Sequence, residues 1–175
     1  VFVYDSSGTP TLEFLAWTNG TTRATALTLQ NGVLSKTGAL TRRYLGTFYT
    51  TSTTQTEDSF AKRLVWNYYN RVTRLGRVIE ATNTWDYDTA TIRQARATAS
   101  NQIEQIIGWA EDYTRVDVSG TVFTSVATGH FMVGIGDDST TTPVANQRMS
   151  SPDPAAANTT HLPSASLTTV PAVGW

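Results

Sequence analysis

The 175-residue chain carries a net charge of −1 and contains no cysteine. The near balance of charges excludes the broad positive field that holds nucleic acid or an anionic membrane surface, and the missing thiols exclude disulfides, Cys-ligated metals and cysteine nucleophiles. No apolar run approaches the roughly 18 residues that cross a bilayer. Charged residues make up 15% of the chain, below the roughly 25% of an average soluble protein. Threonine is the commonest residue, and its β-branched side chain favours strands.

The first fifty residues predict three or four strands separated by turn residues. These strands are expected at residues 11–17, 24–30, 33–36 and 42–50. Asn31-Gly32 is the strongest turn signal, because both residues accept the positive φ of the type I′ turn that joins two-residue hairpins. Asn19-Gly20 and Thr37-Gly38 indicate two further loops. The sequence therefore predicts a β-hairpin centred on Asn31 and Gly32.

At residues 57–71 the spacing of apolar residues changes from that of a strand to that of a helix. Asp58 or Ser59 can cap a helix, and four apolar residues recur at every fourth position: Phe60, Leu64, Tyr68 and Val72. This spacing predicts a short helix. The alternative is a strand, because residues 63–69 also alternate and carry aromatic and β-branched side chains.

Strand signals return after Gly76 and continue to about residue 135. The strands are expected at residues 77–82, 103–109, 113–118, 121–128 and 130–135. Residues 113–118 alternate with one charged face, as an antiparallel strand with one solvated side does. Many short strands with frequent turns predict an antiparallel β-sandwich, jelly-roll-like, over residues 1–138. The ends of the chain also indicate that segments are missing on both sides.

Five prolines lie among small and polar residues between residues 137 and 172. Such a segment buries little apolar surface. Residues 139–175 are therefore predicted to form an extended proline-rich C-terminal arm, or incomplete final strands.

No constellation of residues predicts catalysis, a cofactor or a metal. His130 and His161 lack a second histidine at ligand-like spacing, and Asp137-Asp138 lacks the regular acidic spacing of a calcium loop. Gly134-x-Gly136 is followed by no helix that could bind a phosphate. We therefore expect a protein that is not an enzyme and uses no cofactor.

An aromatic cluster is the best candidate for binding. Trp66, Tyr68 and Tyr69, with Arg71 beside them, could stack against a sugar ring and donate hydrogen bonds to its hydroxyls. The alternative is that Trp66 and Tyr68 fill the core, which is the commoner use of large aromatic side chains.

Three segments carry a resemblance to a known family: residues 41–47 (TRRYLGT), 57–59 (EDS) and 66–72 (WNYYNRV). Together they resemble uncharacterised virion structural proteins of tailed bacteriophages, including phages of aquatic bacteria. The resemblance covers residues 1–138. It implies a β-sandwich displayed on the virion surface, as a capsid decoration or cement protein. Alternatively, it implies a tail fibre or spike module that recognises a host surface glycan.

Partners and structural residues follow from this reading. We expect self-association, as a homotrimer, and contact with the major capsid protein or with tail proteins, but none with nucleic acid or membranes. Charge and spacing predict that Arg42, Arg43 and Arg63 pair with Glu57 and Asp58 and hold the loop at residues 50–56.

Overall fold

A computed structural model describes residues 1–89, 91–125, 130–144, 148–150 and 158–174, with backbone alone for 148–150. Strands dominate these residues, and all but one of their pairings are antiparallel. The prediction of a mainly β, antiparallel fold is confirmed. Among the described residues the helical content is a single 3-10 turn, Ala95–Ala97, and no helix has the length and apolar character needed to cross a membrane.

The strands follow in chain order as β1 Phe2–Ser6, β2 Thr9–Glu13, β3 Leu27–Gln30, β4 Val33–Lys36, β5 Ala39–Tyr44, β6 Gly46–Phe48, β7 Thr50–Ser52, β8 Gln55–Thr56, β9 Lys62–Arg63, β10 Val65–Asn67, β11 Glu104–Gln105, β12 Thr114–Ser119, β13 Val122–Thr124, β14 Met132–Gly134, β15 Arg148–Ser150, β16 Thr159–His161 and β17 Ser164–Thr169. Residues 77–82 form no strand, and the strand predicted at 103–109 is reduced to β11.

The chain divides into two compact units that each combine separate segments. Unit 1 contains Val1–Val78, Gln102–Asp112 and Pro171–Trp175, and unit 2 contains Ile79–Asn101 and Tyr113–Val170. This division does not follow the predicted boundary at residue 138, because segments distant in sequence supply the strands that pair within each unit.

Unit 1 is built on a five-stranded sheet with the order β2-β1-β5-β4-β3. The predicted hairpin is confirmed, since β3 and β4 pair antiparallel. Asn31 and Gly32 form the turn between these strands, with φ of 50° and 79°. The loops predicted at Asn19-Gly20 and Thr37-Gly38 are also present. Smaller pairs complete unit 1: β10 with β6, β7 with β8, and β11 parallel to β9.

The predicted helix at residues 57–71 is wrong, and the strand alternative holds instead. β10 pairs with β6, which places Trp66 opposite Thr47. Leu64 is fully buried, donates its N–H to the Glu57 carbonyl and accepts the N–H of Tyr49. These tertiary hydrogen bonds satisfy the backbone that a helix would have satisfied locally, and they override the fourfold spacing.

The core of unit 1 lies against one face of the five-stranded sheet. Phe2, Leu34 and Tyr44 form its buried cluster, and the Phe2 and Tyr44 rings meet at 5.7 Å. Phe2 and Tyr44 are paired residues of neighbouring strands. The cluster therefore follows directly from the register of β1 and β5.

Unit 2 consists of two-stranded ribbons: β12 with β17, β13 with β16, and β14 with β15. The predicted strand at 113–118 is confirmed as β12, whose residues alternate between half-buried and exposed. Within residues 139–175, predicted as an extended arm or as incomplete final strands, residues 159–161 and 164–169 form β16 and β17. β17 forms because it buries Leu167 and half-buries Ala165, which lie opposite Val116 and Val118 of β12. Residues 145–147, 151–157 and 175 of the segment 139–175 lie outside the described residues, as do residues 126–128 of the predicted strand 121–128.

Candidate functional site

The predicted binding residues Trp66, Tyr68, Tyr69 and Arg71 all lie in unit 1. Trp66 belongs to β10, and the other three follow it in the segment where the strand ends. The Asn67 side-chain oxygen accepts the backbone N–H of Tyr69 at 2.9 Å, which turns the chain at this point. The aromatic rings thus project from a strand end that β6 holds in register.

Trp66 and Tyr68 pack on the core of unit 1. The Trp66 ring stacks on Tyr44 with centroids 6.1 Å apart and planes 27° from parallel, and Tyr68 lies 6.0 Å from both rings. Gly108 makes room for this packing, because a Cβ built there would lie 2.3 Å from the Trp66 ring. Trp66 and Tyr68 are therefore half-buried and pack against the core, which is the alternative to a sugar-binding role.

Arg23 is a member of this cluster that the sequence patterns did not single out. Its guanidinium lies between the rings of Trp17 and Tyr44, 4.5 and 4.8 Å from their centroids. It donates hydrogen bonds to the Tyr44 hydroxyl at 2.8 Å, to Thr47 Oγ1 at 3.2 Å and to the Gly108 carbonyl. Burial raises the pKa of the Tyr44 hydroxyl above its ordinary value, although Arg23 opposes the shift. Tyr44 is therefore a neutral hydrogen-bonding partner rather than an acid.

Arg71 connects the aromatic rings to two carboxylates. Its guanidinium contacts Glu111 and Asp112, each at 2.8 Å, and lies 5.7 Å from the Trp66 ring. Hydrogen bonding to Glu111 raises the pKa of Arg71, and the same bond lowers the pKa of Glu111, helped by the Trp109 indole N–H. We call this group of rings and guanidinium groups the aromatic–arginine cluster: Trp17, Arg23, Tyr44, Trp66, Tyr68 and Arg71.

The aromatic–arginine cluster joins three distant segments of unit 1. Arg23 links the loop after β2 to the Gly108 backbone, and Arg71 links the end of β10 to Glu111 and Asp112. Tyr69 differs from its neighbours, because 57% of it is exposed while its ring stands edge-on to Tyr68 at 5.1 Å. Of the three predicted binding rings, Tyr69 is the most exposed.

The predicted salt bridges form only in part. Arg63 contacts Asp58 at 3.2 Å, but Arg42 contacts Glu13 at 3.3 Å instead of Glu57 or Asp58. The prediction for Arg42 is wrong because β5 pairs with β1, whose other neighbour β2 ends at Glu13.

Two further residues of that prediction lie elsewhere. Glu57 accepts a hydrogen bond from the Ser59 hydroxyl at 2.6 Å. Arg43 is exposed on β5, opposite Val3 and Ser35.

Asp58 has a second partner that was not predicted. Arg74 contacts the other carboxylate oxygen of Asp58 and donates to the Val65 carbonyl at 3.0 Å. Arg63 also donates to the Leu75 carbonyl at 3.1 Å. Asp58 therefore holds the segment at residues 74–75 beside β9 and β10, rather than the loop at 50–56.

The residues considered for metal binding or catalysis lie in unit 2. His161 contacts Thr159 at 2.9 Å, and its ring lies tilted against Phe131 with centroids 4.9 Å apart. His130, Asp137 and Asp138 are exposed. Within the described ranges, no group of three or more His, Cys, Asp or Glu side chains is placed to hold a metal ion.

The chain was also compared with known proteins. A scan of the sequence against protein-family models found no match, and searches of curated proteins and of solved structures found none either.

Proposed function

We propose that this chain is a structural subunit of a multi-chain assembly, and specifically a phage virion structural protein in a capsid decoration, cement or exterior attachment role. The observation that carries the proposal is the amount of large apolar surface that the chain leaves exposed. Contiguous exposed apolar surface on a folded chain typically marks a contact with another molecule.

In unit 1, Phe14 is 61% exposed and Phe48 is 39% exposed, although their rings meet edge to face at 6.1 Å. These two rings are ordered against each other but remain open to solvent. Leu12 and Leu29, on the outer strands β2 and β3, are also exposed. Aromatic residues of this kind are enriched in the cores of protein–protein interfaces.

In unit 2, the buried apolar side chains among the described residues are Ile135, Pro163 and Leu167, whereas large apolar residues are exposed along the unit. The exposed set is Ile79, Trp85, Tyr87, Ile92, Tyr113, Phe123, Met132, Leu162 and Val170. A unit that buries so little gains stability when neighbouring subunits cover it. Shell and fibre proteins obtain their stability in this way.

The virion location rests on the resemblance carried by residues 41–47, 57–59 and 66–72. The structure places residues 41–47 across β5 and β6, and places Trp66 on β10 beside them. Residues 41–47 and 66–72, two of the three segments that carry the resemblance, are therefore neighbours in space within unit 1.

Quantitative mass spectrometry of purified phage particles tests the proposal. We expect this chain at a ratio near one to one or one to three with the major shell protein, as a decoration protein requires. Absence of the chain from purified particles would overturn the virion role.

A second candidate is a tail fibre or spike module that binds a host surface glycan, and the exposed ring of Tyr69 favours it. A few tens of copies per particle would support this candidate over decoration. Tyr69→Ala should then weaken binding of particles to host cells, whereas Tyr113→Ala, which removes a still more exposed tyrosine in unit 2, should not.

A further inference from the structure

β12 has one edge that is paired and one edge beside which the described part of the chain places no strand. On one side it pairs with β17 over all six residues, from Thr114 opposite Thr169 to Ser119 opposite Ser164. On its other side, no strand in the described part of the chain pairs with it. A strand edge with unpaired backbone groups is a template for another strand. A two-stranded ribbon is also only marginally stable by itself, so a further strand would strengthen it.

The sequence of β12 is complementary to itself when it is read antiparallel about Val116. In that register Val116 lies opposite Val116 of a second copy, and Arg115 lies opposite Asp117. Arg115 and Asp117 share the exposed face of β12, while Val116 and Val118 share the half-buried face. Opposite charges on directly opposed residues stabilise a sheet, and like charges destabilise it.

We propose that β12 pairs antiparallel with β12 of a second copy of this chain, about a two-fold axis at Val116. Arg115 of each copy then faces Asp117 of the other, and the two ribbons form a four-stranded sheet in the order β17-β12-β12-β17. The half-buried valines of both copies lie on one face of that sheet, because adjacent antiparallel strands keep the same faces together. The contact is the same surface patch on both copies, as two-fold symmetry requires.

Charge also fixes the register. A shift by two residues in either direction places Arg115 opposite Arg115 or Asp117 opposite Asp117, which is repulsive. A slip by one residue moves the charged side chains onto the valine face. Within one copy, Arg115 and Asp117 already contact each other at 3.0 Å, but both are well exposed. An exposed pair of this kind contributes little, so exchanging it for two cross-strand pairs sacrifices little.

This inference rests on the proposal that the chain is a subunit of an assembly, and it names one contact of that assembly. A two-fold contact gives a dimer, whereas the sequence predicted a homotrimer. The mass of the associated species in solution therefore distinguishes the two.

Cysteine cross-linking provides the first test, because the full chain contains no cysteine. In the Val116→Cys variant, the two introduced residues face each other directly, at the roughly 4.5–5.5 Å between Cβ atoms of opposed residues. Oxidation should give a disulfide-linked dimer. Val118→Cys is the matched control: it places a thiol on the same face, but opposite Thr114 of the second copy, so it should cross-link at least tenfold more slowly. Equal cross-linking of the two variants, or none at residue 116, would overturn the register.

Charge reversal provides the second test. Arg115→Asp places Asp opposite Asp117, and Asp117→Arg places Arg opposite Arg115, so each variant alone should associate at least tenfold more weakly than the unmodified chain. An equimolar mixture of the two variants should recover association as a mixed dimer, because every opposed pair is again of opposite charge. Both variants break the contact within one copy equally, so only pairing between copies explains recovery in the mixture.

Native mass spectrometry identifies the mixed dimer, and circular dichroism checks that each variant keeps its strands. A mixture that associates no better than its components would overturn the inference. If the unmodified chain associates and the single variants associate equally well, the β12 contact is wrong while the assembly role stands. The copy number on particles tests that role independently.

Discussion

The two units of this chain use the same short strands but bury very different cores. In unit 1, five strands form one sheet, and Phe2, Leu34 and Tyr44 meet in a closed cluster against it. In unit 2, the strands pair two by two, and Leu167 of β17 is one of the few apolar side chains buried there. The difference shows that sheet width, more than the β-propensity of individual strands, decides how much apolar surface a β-unit can cover.

The largest expected effect is the loss of a core side chain from the wide sheet. Leu34→Ala should lower the free energy of unfolding of unit 1 by about 2–5 kcal/mol, because it removes a fully buried side chain and leaves a cavity. Urea denaturation followed by tryptophan fluorescence measures this loss, since Trp17, Trp66 and Trp109 lie in unit 1.

The matched control for that variant is its cross-strand neighbour. Leu29 lies opposite Leu34 in the β3–β4 pair but is 64% exposed, whereas Leu34 is 1% exposed. Leu29→Ala should change the free energy of unfolding by less than about 0.5 kcal/mol, as most surface substitutions do. Leu29 and Leu34 share one face of the sheet, so equal effects of the two substitutions would contradict a core that covers β4 and leaves the outer strand β3 open.

A smaller loss is expected from the equivalent change in unit 2. Leu167→Ala should destabilise unit 2 by about 2 kcal/mol, at the low end of the range for such substitutions, because a narrow ribbon relaxes around the missing side chain. Hydrogen exchange of the β12 and β17 amides measures it, and Ser166→Ala on the exposed face is the control. A loss larger than that of Leu34→Ala would reverse the comparison between the units.

The aromatic–arginine cluster predicts a further effect confined to unit 1. Gly108→Ala should destabilise this unit by about 1–3 kcal/mol, because the added methyl group must displace the Trp66 ring or the Tyr44 hydroxyl. Gly120→Ala is the control in unit 2, since a Cβ there meets nothing within 4 Å. Thermal melts followed by near-ultraviolet circular dichroism measure both effects. Equal shifts of the melting temperature in the two variants would contradict this account.

The smallest expected effect concerns acid stability. Hydrogen bonds from Asn101 and Thr82 lower the pKa of Glu80 in unit 2 to about 2. The ionised carboxylate therefore stabilises the folded state above its ordinary pKa near 4.5, and this contribution is lost as the pH falls from about 4.5 towards 2. Glu80→Gln should flatten the dependence of stability on pH in that interval. Urea midpoints at pH 5 and pH 3 measure it, and Asp86→Asn, an exposed carboxylate of the same unit, should leave the slope unchanged.

Local chemistry predicted part of the fold. The hairpin at Asn31 and Gly32 needs only two residues that accept positive φ, and the period-two pattern of β12 needs only one face to be apolar. Both signals lie within a few neighbouring residues, so no knowledge of distant partners was required. The mainly β character followed in the same way from the abundance of threonine and the frequent turns.

The rest depended on partners that are distant in sequence. Residues 64–68 suit either a helix or a strand, and the pairing of Trp66 with Thr47 decided between them. Arg23 has no local motif, and its role arises because folding brings the Gly108 carbonyl and the Tyr44 hydroxyl to one guanidinium. The sequence by itself determined the turns, the alternating strands and the fold class. Only the tertiary structure decided which strands pair and which rings are buried, because backbone hydrogen bonds and apolar contacts between distant segments are worth more than the local preferences they override.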